Sequence, residues 1–179
     1  MTLIGFTGSM GSGKSTAIEC LKEIQVKQVS NIKFAQPLYD IQEAIYSIIK
    51  TVHQRPSTFI KDRKLLQWLG TEWGRDTISK TLWIDLWKRD VEYLQQNYPS
   101  RIIVSDDVRF ENEVDTVKSL GGYIIKIESN KDRIVKEGTG HSSELGISSE
   151  KIDYIIENNG TLDDLKTSLL TLNSKLELW

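Results

Sequence analysis

The sequence is poor in the residues that several function classes require. Its 179 residues include one cysteine, Cys20, and two histidines. A single cysteine excludes an internal disulfide and a cysteine-based zinc site, so we expect a reducing, cytoplasmic setting. We interpret Cys20 as a helix residue that carries no chemistry.

Long apolar runs and an excess of positive charge are also missing. No stretch approaches the roughly 18 consecutive apolar residues of a membrane span, and the N-terminus has no basic region before its short apolar run. We therefore expect neither a signal peptide nor membrane association. The formal net charge of -2 gives no basic field for a polyanion. Stable nucleic-acid binding is not expected, whereas small anionic substrates remain open.

The remaining composition is typical of a single globular domain, with 39% hydrophobic and 27% charged residues. Short apolar segments predict strands at 2–7, 27–32, 101–105, 123–127 and 153–156. Apolar residues spaced three and four apart predict helices at 14–24, from Pro37 to about 50, at 112–120 and at 162–176, the last with Thr161 as its N-cap. This alternation predicts an α/β fold of three layers, with a five-stranded, mostly parallel sheet covered by helices on both faces.

Two segments interrupt this alternation. Residues 51–100 show helical patterns without a convincing strand, which predicts a helical insertion. Within it, Trp83, Trp87, Val91 and Leu94 form an apolar stripe that we expect in the core. Residues 129–151 are polar and rich in glycine and serine, and we interpret them as a lid.

The strongest motif lies between the first strand and the first helix and matches G-x-x-x-x-G-K-[ST] in full. Its residues are Gly8, Ser9, Met10, Gly11, Ser12, Gly13, Lys14 and Ser15, followed by Thr16 as a helper. The glycines let successive N–H groups wrap a phosphate at a helix N-terminus. Lys14 supplies charge for the outer phosphates, and the Ser15 hydroxyl is suited to Mg²⁺. The motif predicts nucleotide phosphate binding, but kinases, ATPases and GTPases share it, so the acceptor stays open.

A second acidic site follows the strand at 101–105. The apolar run ends in Asp106 and Asp107, at the edge of a parallel sheet where the phosphate loop is expected. Either carboxylate could hold Mg²⁺ through water, and solvated turn aspartates are the alternative. Arg109, two residues later, could reach a phosphate.

Further candidates lie in the insertion and in the predicted lid. Phosphoryl transfer needs positive charge around the moving group, and arginine geometry suits phosphate oxygens. The cationic candidates are Arg63 and Arg75 in the insertion and Lys131, Arg133, Lys136 and His141 in the lid. His141 lacks metal-ligand partners, so we favour a phosphate or lid contact for it. Trp68 and Trp73 could stack on a nucleobase, although core packing is favoured for each.

Several stretches together resemble the phage-type deoxynucleoside monophosphate kinase family. They are residues 8–15, Phe34-Ala35-Gln36-Pro37-Leu38, the block from Leu65 to Arg75, the block from Asp107 to Glu113, and His141-Ser142-Ser143-Glu144. The blocks at 65–75 and 107–113 are more specific than the phosphate loop.

The resemblance implies one P-loop kinase domain over 1–179, with a nucleoside monophosphate-binding insertion at about 38–100 and a lid at about 129–151. It implies transfer of the terminal phosphate of ATP, with Mg²⁺, to a deoxynucleoside monophosphate in the cytoplasm, or in a host cytoplasm if the gene is a phage gene. Lys14 and Ser15 would serve ATP and magnesium. Arg75 would face the acceptor with Arg63 nearby, and Arg109 would lie between donor and acceptor. Arg133 is our choice for the transferring phosphate.

Two other functions remain open from the sequence. One is a kinase of another small metabolite, such as dephospho-coenzyme A. The other is a P-loop protein that binds nucleotide without phosphorylating a small molecule. The second phosphate site suggested by the arginines of the insertion favours an enzyme. The accepted bases and the formation of a homodimer are also left open.

Overall fold

The computed structural model describes residues 2–25, 27–53, 61–130 and 147–178, with the side chains of all but 51–53. The chain forms two compact units. The first combines Met1–Ile32 with Asp90–Trp179, and the second is Lys33–Arg89. Of the predicted lid, residues 131–146 lie outside the described part of the chain. The limits of the substrate-binding insertion and of the lid stay predictions.

The first unit is built on a five-stranded sheet. Its strands are β1 Thr2–Thr7, β2 Val29–Asn31, β3 Ile102–Ser105, β4 Tyr123–Glu128 and β5 Tyr154–Glu157. The order is β2-β3-β1-β4-β5, and all four pairings are parallel. The predicted five-stranded parallel sheet is therefore confirmed. Because β1 is central, its carboxyl end lies between those of β3 and β4, where open parallel sheets place their sites.

Helices occupy most of the remaining described chain. The α-helices are α1 Lys14–Ile24, α2 Gln36–His53, α3 Arg63–Trp68, α4 Leu82–Asn97, α5 Glu111–Ser119 and α6 Leu162–Leu176. A π-helix spans Leu69–Ile78, and a 3-10 turn spans Ser149–Lys151. None of the described helices has the length and apolarity needed to cross a membrane.

The two faces of β1 pack against different helices, because successive side chains of a strand point to opposite sides. Ile4 and Phe6 belong to a buried cluster with residues of α1 and α6, such as Leu21 and Leu169. On the other face, a methyl group at Gly5 would touch Val117 of α5. Both faces of the sheet are thus covered, as predicted.

The start of α6 confirms the predicted cap. The Thr161 hydroxyl accepts a hydrogen bond from the Asp164 N–H at 3.3 Å, and the Asp164 carboxylate accepts one from the Thr161 N–H at 2.7 Å. These reciprocal bonds satisfy N–H groups that a helix start leaves without intrahelical partners, and they define where α6 begins.

The second unit has an aromatic core of its own. Phe34 and Trp87 stack with ring centroids 4.3 Å apart, and Trp83 is 3% exposed. Along α4, which begins in the second unit and ends in the first, the predicted apolar stripe is buried at Trp83, Trp87 and Val91 but only half-buried at Leu94. The stripe is therefore core except at its C-terminal end.

Candidate active site

The loop after β1 has a backbone that requires glycine. Gly8, Gly11 and Gly13 have φ values of +134°, +87° and +105°, which side chains rarely adopt. A methyl group on Gly8 would also overlap the carbonyl oxygen of Ile127 in β4. The chain can therefore turn tightly from the sheet into α1, with N–H groups at the helix N-terminus available to an anion.

The Lys14 ammonium group lies across this loop. Its Nζ donates hydrogen bonds to the carbonyl oxygens of Gly8 and Ser9, both at 2.7 Å. The positive charge is therefore fixed beside the backbone that would surround a phosphate. An anion here would meet both the N–H groups and the ammonium.

The structure distinguishes between the two neighbouring aspartates. The Ser15 hydroxyl donates a hydrogen bond to Oδ2 of Asp106 at 3.0 Å. Asp106 is 6% exposed, whereas Asp107 is only half-buried. The side chain of Asp106 therefore meets the phosphate loop directly after β3, and Asp107 follows in the next turn.

The Ser15 and Asp106 oxygens are the hard ligands that Mg²⁺ prefers. Within the described residues no three His, Cys, Asp or Glu side chains gather into a metal site. This composition fits a magnesium ion held by few protein groups and mainly by nucleotide phosphates and water, as is usual for Mg²⁺.

Arg109 stands on a turn that a buried glutamate stabilises. The N–H groups of Arg109 and Phe110 donate to Oε2 of Glu113 at 2.8 and 3.1 Å, and Glu113 is 3% exposed. The turn is thereby fixed at the start of α5 while the arginine itself is exposed. Our sequence analysis missed Glu113, although the three-residue step from Phe110 to a glutamate is the spacing of a capping box.

An asparagine after β5 also reaches the phosphate loop. Nδ2 of Asn158 donates a hydrogen bond to the Ser12 carbonyl at 2.8 Å. Beside it lies a cavity of about 220 Å³, lined by Gly11, Ser129, Asn130, Asn158, Asn159 and Gly160. The sequence analysis missed this contact. The available signal was a polar residue at the carboxyl end of a strand parallel to β1.

The second unit carries the predicted acceptor residues of the insertion. Arg63 is exposed and opens α3 after the N-cap Asp62, whose side chain accepts from the Leu65 N–H at 3.0 Å. That bond, with one from the Tyr46 hydroxyl, holds the pKa of Asp62 below its usual value. Arg75 is half-buried in the π-helix.

The two tryptophans of this unit have different surroundings. Trp68 is 51% exposed, so the core packing that we favoured for it is wrong. Trp73 is half-buried, and its ring lies 6.3 Å from that of Trp83 at a tilt of 41°, which agrees with core packing. Of the two tryptophans, Trp68 has the side chain that is more exposed to solvent.

Comparison with known proteins decides the family. A family model described as "Deoxynucleotide monophosphate kinase" matches residues 13–169. The chain belongs to this family. An Acanthamoeba polyphaga mimivirus protein named "Putative deoxynucleotide monophosphate kinase" is 32% identical to it over 96% of this chain and 95% of that protein. The "Deoxynucleotide monophosphate kinase" of Escherichia phage RB69 is 25% identical over 60% of this chain and 42% of its own.

The solved structures agree with the family at the level of the fold. The dephospho-CoA kinase from Campylobacter jejuni superposes with a TM-score of 0.54 at 17% identity, covering 97% of this chain and 96% of that one. At this identity the likeness concerns the fold alone. It confirms the predicted α/β P-loop kinase fold for this member of the deoxynucleotide monophosphate kinase family.

In the described part of this kinase family member, the predicted site residues form two groups. In the first unit, residues 8–16, Asp106, Asp107 and Arg109 lie at or beside the loops that follow β1 and β3. In the second unit, Arg63, Trp68, Trp73 and Arg75 lie on α3 and the π-helix. Arg133 and His141, with Lys131 and Lys136, lie outside the described residues, and their roles stay predictions.

Proposed function

We propose that this chain transfers the terminal phosphate of ATP to a deoxynucleoside monophosphate, giving the diphosphate and ADP. It is a phosphotransferase, as its family is. The observation that carries the proposal is the complete phosphate loop, with the Lys14 ammonium lying across it and Ser15 bonded to Asp106. This arrangement provides positive charge and oxygen ligands at one place, as phosphoryl transfer requires.

The donor binds at the first unit in this proposal. The Lys14 ammonium and the N–H groups of residues 8–13 hold the outer phosphates of ATP, except the Ser12 N–H, which donates to the Ser9 carbonyl at 3.2 Å. Mg²⁺ would neutralise phosphate charge there, and Ser15 and Asp106 are the residues that would hold it. The cavity beside Gly11 lies next to the loop and is our candidate for the nucleoside part of ATP.

The acceptor binds at the second unit. Two of its guanidinium groups, on Arg63 and Arg75, are suited to the acceptor phosphate, because the planar donor fork matches phosphate oxygens. The exposed ring of Trp68 offers a face on which a nucleobase can stack. Arg109, held by its turn on Glu113, is the candidate to stabilise charge during the transfer.

The chemistry requires no covalent enzyme intermediate. An oxygen of the acceptor phosphate attacks the terminal phosphorus of ATP in line with the departing oxygen of ADP, through a loose transition state. The residues named above contribute by positioning the two phosphates and by neutralising their charge. Excluding water from the site would suppress hydrolysis of ATP.

The test is a panel of acceptors assayed with ATP and magnesium. ADP formation is followed with the four deoxynucleoside monophosphates, the corresponding ribonucleotides and dephospho-coenzyme A. We expect turnover with at least one deoxynucleotide, and a loss of about 100-fold or more in Lys14→Ala, because the ammonium interacts with the transferring phosphate. Turnover only with dephospho-coenzyme A, or ATP binding without any turnover, would contradict the proposal.

A further inference from the structure

The carbonyl group of Ser12 is the starting point, because it belongs to the phosphate loop but is bonded to a side chain from another part of the chain. Ser12 is fully buried, so its carbonyl oxygen has no access to bulk water. The oxygen accepts the hydrogen bond from Nδ2 of Asn158 at 2.8 Å. A buried carbonyl that loses such a partner is costly, so this bond constrains the orientation of the peptide.

The orientation of this carbonyl determines that of the next N–H group. Ser12 C=O and Gly13 N–H belong to one planar trans peptide, in which the two bonds point in opposite directions. With the oxygen directed at Asn158, the Gly13 N–H is directed away from Asn158. It lies at the N-terminus of α1, next to Lys14, where the phosphate is expected.

Asn158 is itself held firmly at the edge of the sheet. Its backbone N–H donates to the Glu128 carbonyl at 2.7 Å, which continues the pairing of β4 with β5. The neighbouring Asn159 accepts a hydrogen bond from the Asn130 N–H at 2.7 Å. The side-chain amide is therefore presented to the loop from a backbone that is anchored on two sides.

The contact also explains why position 13 is a glycine. A methyl group at Gly13 would overlap the amide nitrogen of Asn158. The asparagine thus occupies the space where a side chain would otherwise stand. A backbone with φ of +105° and a close neighbour on its Cβ side accepts only glycine.

We propose that Asn158 is a positioning residue of the phosphate loop: by holding the Ser12 carbonyl it directs the Gly13 N–H towards the donor phosphates. This inference rests on the proposed function, since it assumes that the loop binds ATP. Asn158 also lines the cavity beside Gly11, so a contact with the nucleoside part of ATP is the alternative role. The two roles differ in whether a phosphate without a nucleoside is affected.

The experiment compares the binding of ATP and of inorganic tripolyphosphate to the full chain by titration calorimetry. The variants are Asn158→Ala, which removes the donor, and Asn158→Asp, which keeps the size but places a carboxylate against the carbonyl. Asn97→Ala is the matched control, because Asn97 is exposed near the C-terminal end of α4 and also donates an amide hydrogen bond to a carbonyl, that of Tyr93, at 2.8 Å. Circular dichroism and the melting temperature verify that each variant is folded.

We expect Asn158→Ala to weaken the binding of ATP and the binding of tripolyphosphate by the same factor, about tenfold, since one buried hydrogen bond is lost. Asn158→Asp should weaken the binding of both ligands further, because the new carboxylate repels their phosphates. The KM for ATP should rise while the KM for the acceptor stays constant. Asn97→Ala should bind both ligands as the unmodified chain does.

Other outcomes overturn the inference in distinguishable ways. If the Asn158 variants bind ATP more weakly but bind tripolyphosphate normally, Asn158 contacts the nucleoside and does not position the loop. If the Asn158 variants bind both ligands normally while Lys14→Ala no longer binds ATP, the inference fails and the proposed function stands. If both Asn158 variants unfold, the residue is structural. If the unmodified chain binds neither ATP nor tripolyphosphate, the proposed function fails and the inference fails with it.

Discussion

Asp106 and Asp107 show how neighbouring residues of the same type acquire different surroundings. They follow β3 in succession, where the chain bends out of the strand, so their side chains need not share one environment. Asp106 is directed to the Ser15 hydroxyl and is nearly buried, while Asp107 is partly open to solvent. The acid that assists the magnesium ion is therefore assigned to Asp106 in our proposal.

Replacing these aspartates separately tests that assignment. We expect Asp106→Asn to lower kcat by about 100-fold and to raise the magnesium concentration needed for half-maximal rate, because an amide is a poorer partner for a cation. Asp107→Asn should lower kcat and raise the magnesium requirement much less. Rates measured across a magnesium titration give both quantities, and an equal or larger loss in Asp107→Asn would move the role to Asp107.

Trp68 tests the proposed acceptor site in the same unit as Arg63 and Arg75. Trp68→Ala should raise the KM for the deoxynucleotide about tenfold, since base–aromatic stacking contributes ~1–3 kcal/mol per base. Trp68→Phe should retain most of the affinity. The melting temperature should hardly change, because the side chain is 51% exposed.

Tyr93 provides the control for the loss of an exposed aromatic ring. It is 58% exposed on α4, and our proposal gives it no part in binding. Tyr93→Ala should leave the acceptor KM unchanged. An unchanged KM in Trp68→Ala as well would remove Trp68 from the proposed site.

At the scale of elements, the π-helix is shaped by Trp83. Its indole N–H donates to the Gly70 carbonyl at 2.9 Å, and its ring fills the space beside Gly74. A wide helical turn is rare in proteins and often occurs at functional sites. Here it carries Trp73 and Arg75.

Two glycines of this helix give a matched pair of substitutions. A methyl group at Gly74 would overlap the Trp83 ring, so we expect Gly74→Ala to destabilise the protein by about 1–3 kcal/mol. At Gly70 the nearest atom would be 3.4 Å away on Leu38, an ordinary contact. Gly70→Ala should be neutral or slightly stabilising. Urea unfolding measures both variants, and equal stability for the pair would contradict the packing described.

Hydrogen bonds connect the first residue of α5 to Ser148 and Lys151, which precede β5. Glu111 accepts hydrogen bonds from the Ser148 N–H and hydroxyl at 2.7 and 2.8 Å, and from Lys151 at 2.7 Å. These bonds, led by the one from Lys151, lower the pKa of Glu111 to about 2. Lys151 also donates to Asp115, and the hydrogen bonds to Asp115 and then to Glu111 raise the pKa of Lys151.

This lowered pKa predicts a specific dependence of stability on pH. A carboxylate whose pKa falls on folding contributes stability above its unfolded pKa of 4.5, and the contribution is lost as the pH falls towards 2. Unmodified protein should therefore exceed Glu111→Gln in unfolding free energy at pH 6, and the difference should narrow at pH 3. The effect should be small because the group is exposed. A difference that is constant between the two pH values would contradict the assignment.

For the whole molecule, the sequence predicted those parts that local pattern determines. The loop from Gly8 to Ser15, the five parallel strands and the cap at Thr161 follow from motif, periodicity and capping chemistry. The family emerged from two blocks, at 65–75 and 107–113, that are longer than the phosphate motif. Each of these features is encoded within a few neighbouring residues.

The features that the sequence did not predict depend on residues far apart in the chain. Asn158 and Ser12 are 146 positions apart, and only the parallel pairing of the sheet brings them together. The choice between Trp68 and Trp73 depends on where Trp83 packs. The π-helix has no periodicity of its own that would separate it from an α-helix at this length. Tertiary contacts decide all three.

Binding of ATP to the first unit should be visible as a change in the stability of the whole chain. A ligand that binds only the folded state at 100 times its Kd adds about 2.7 kcal/mol, which for a protein of this size corresponds to roughly 5–11 °C in Tm. We expect a shift of this order with Mg-ATP by scanning fluorimetry, and a much smaller one in Lys14→Ala. Because Lys14 is not fully buried and donates to carbonyl groups of its own loop, its removal should change the Tm without ligand very little. An equal shift in both proteins would mean that ATP is held somewhere other than the loop after β1.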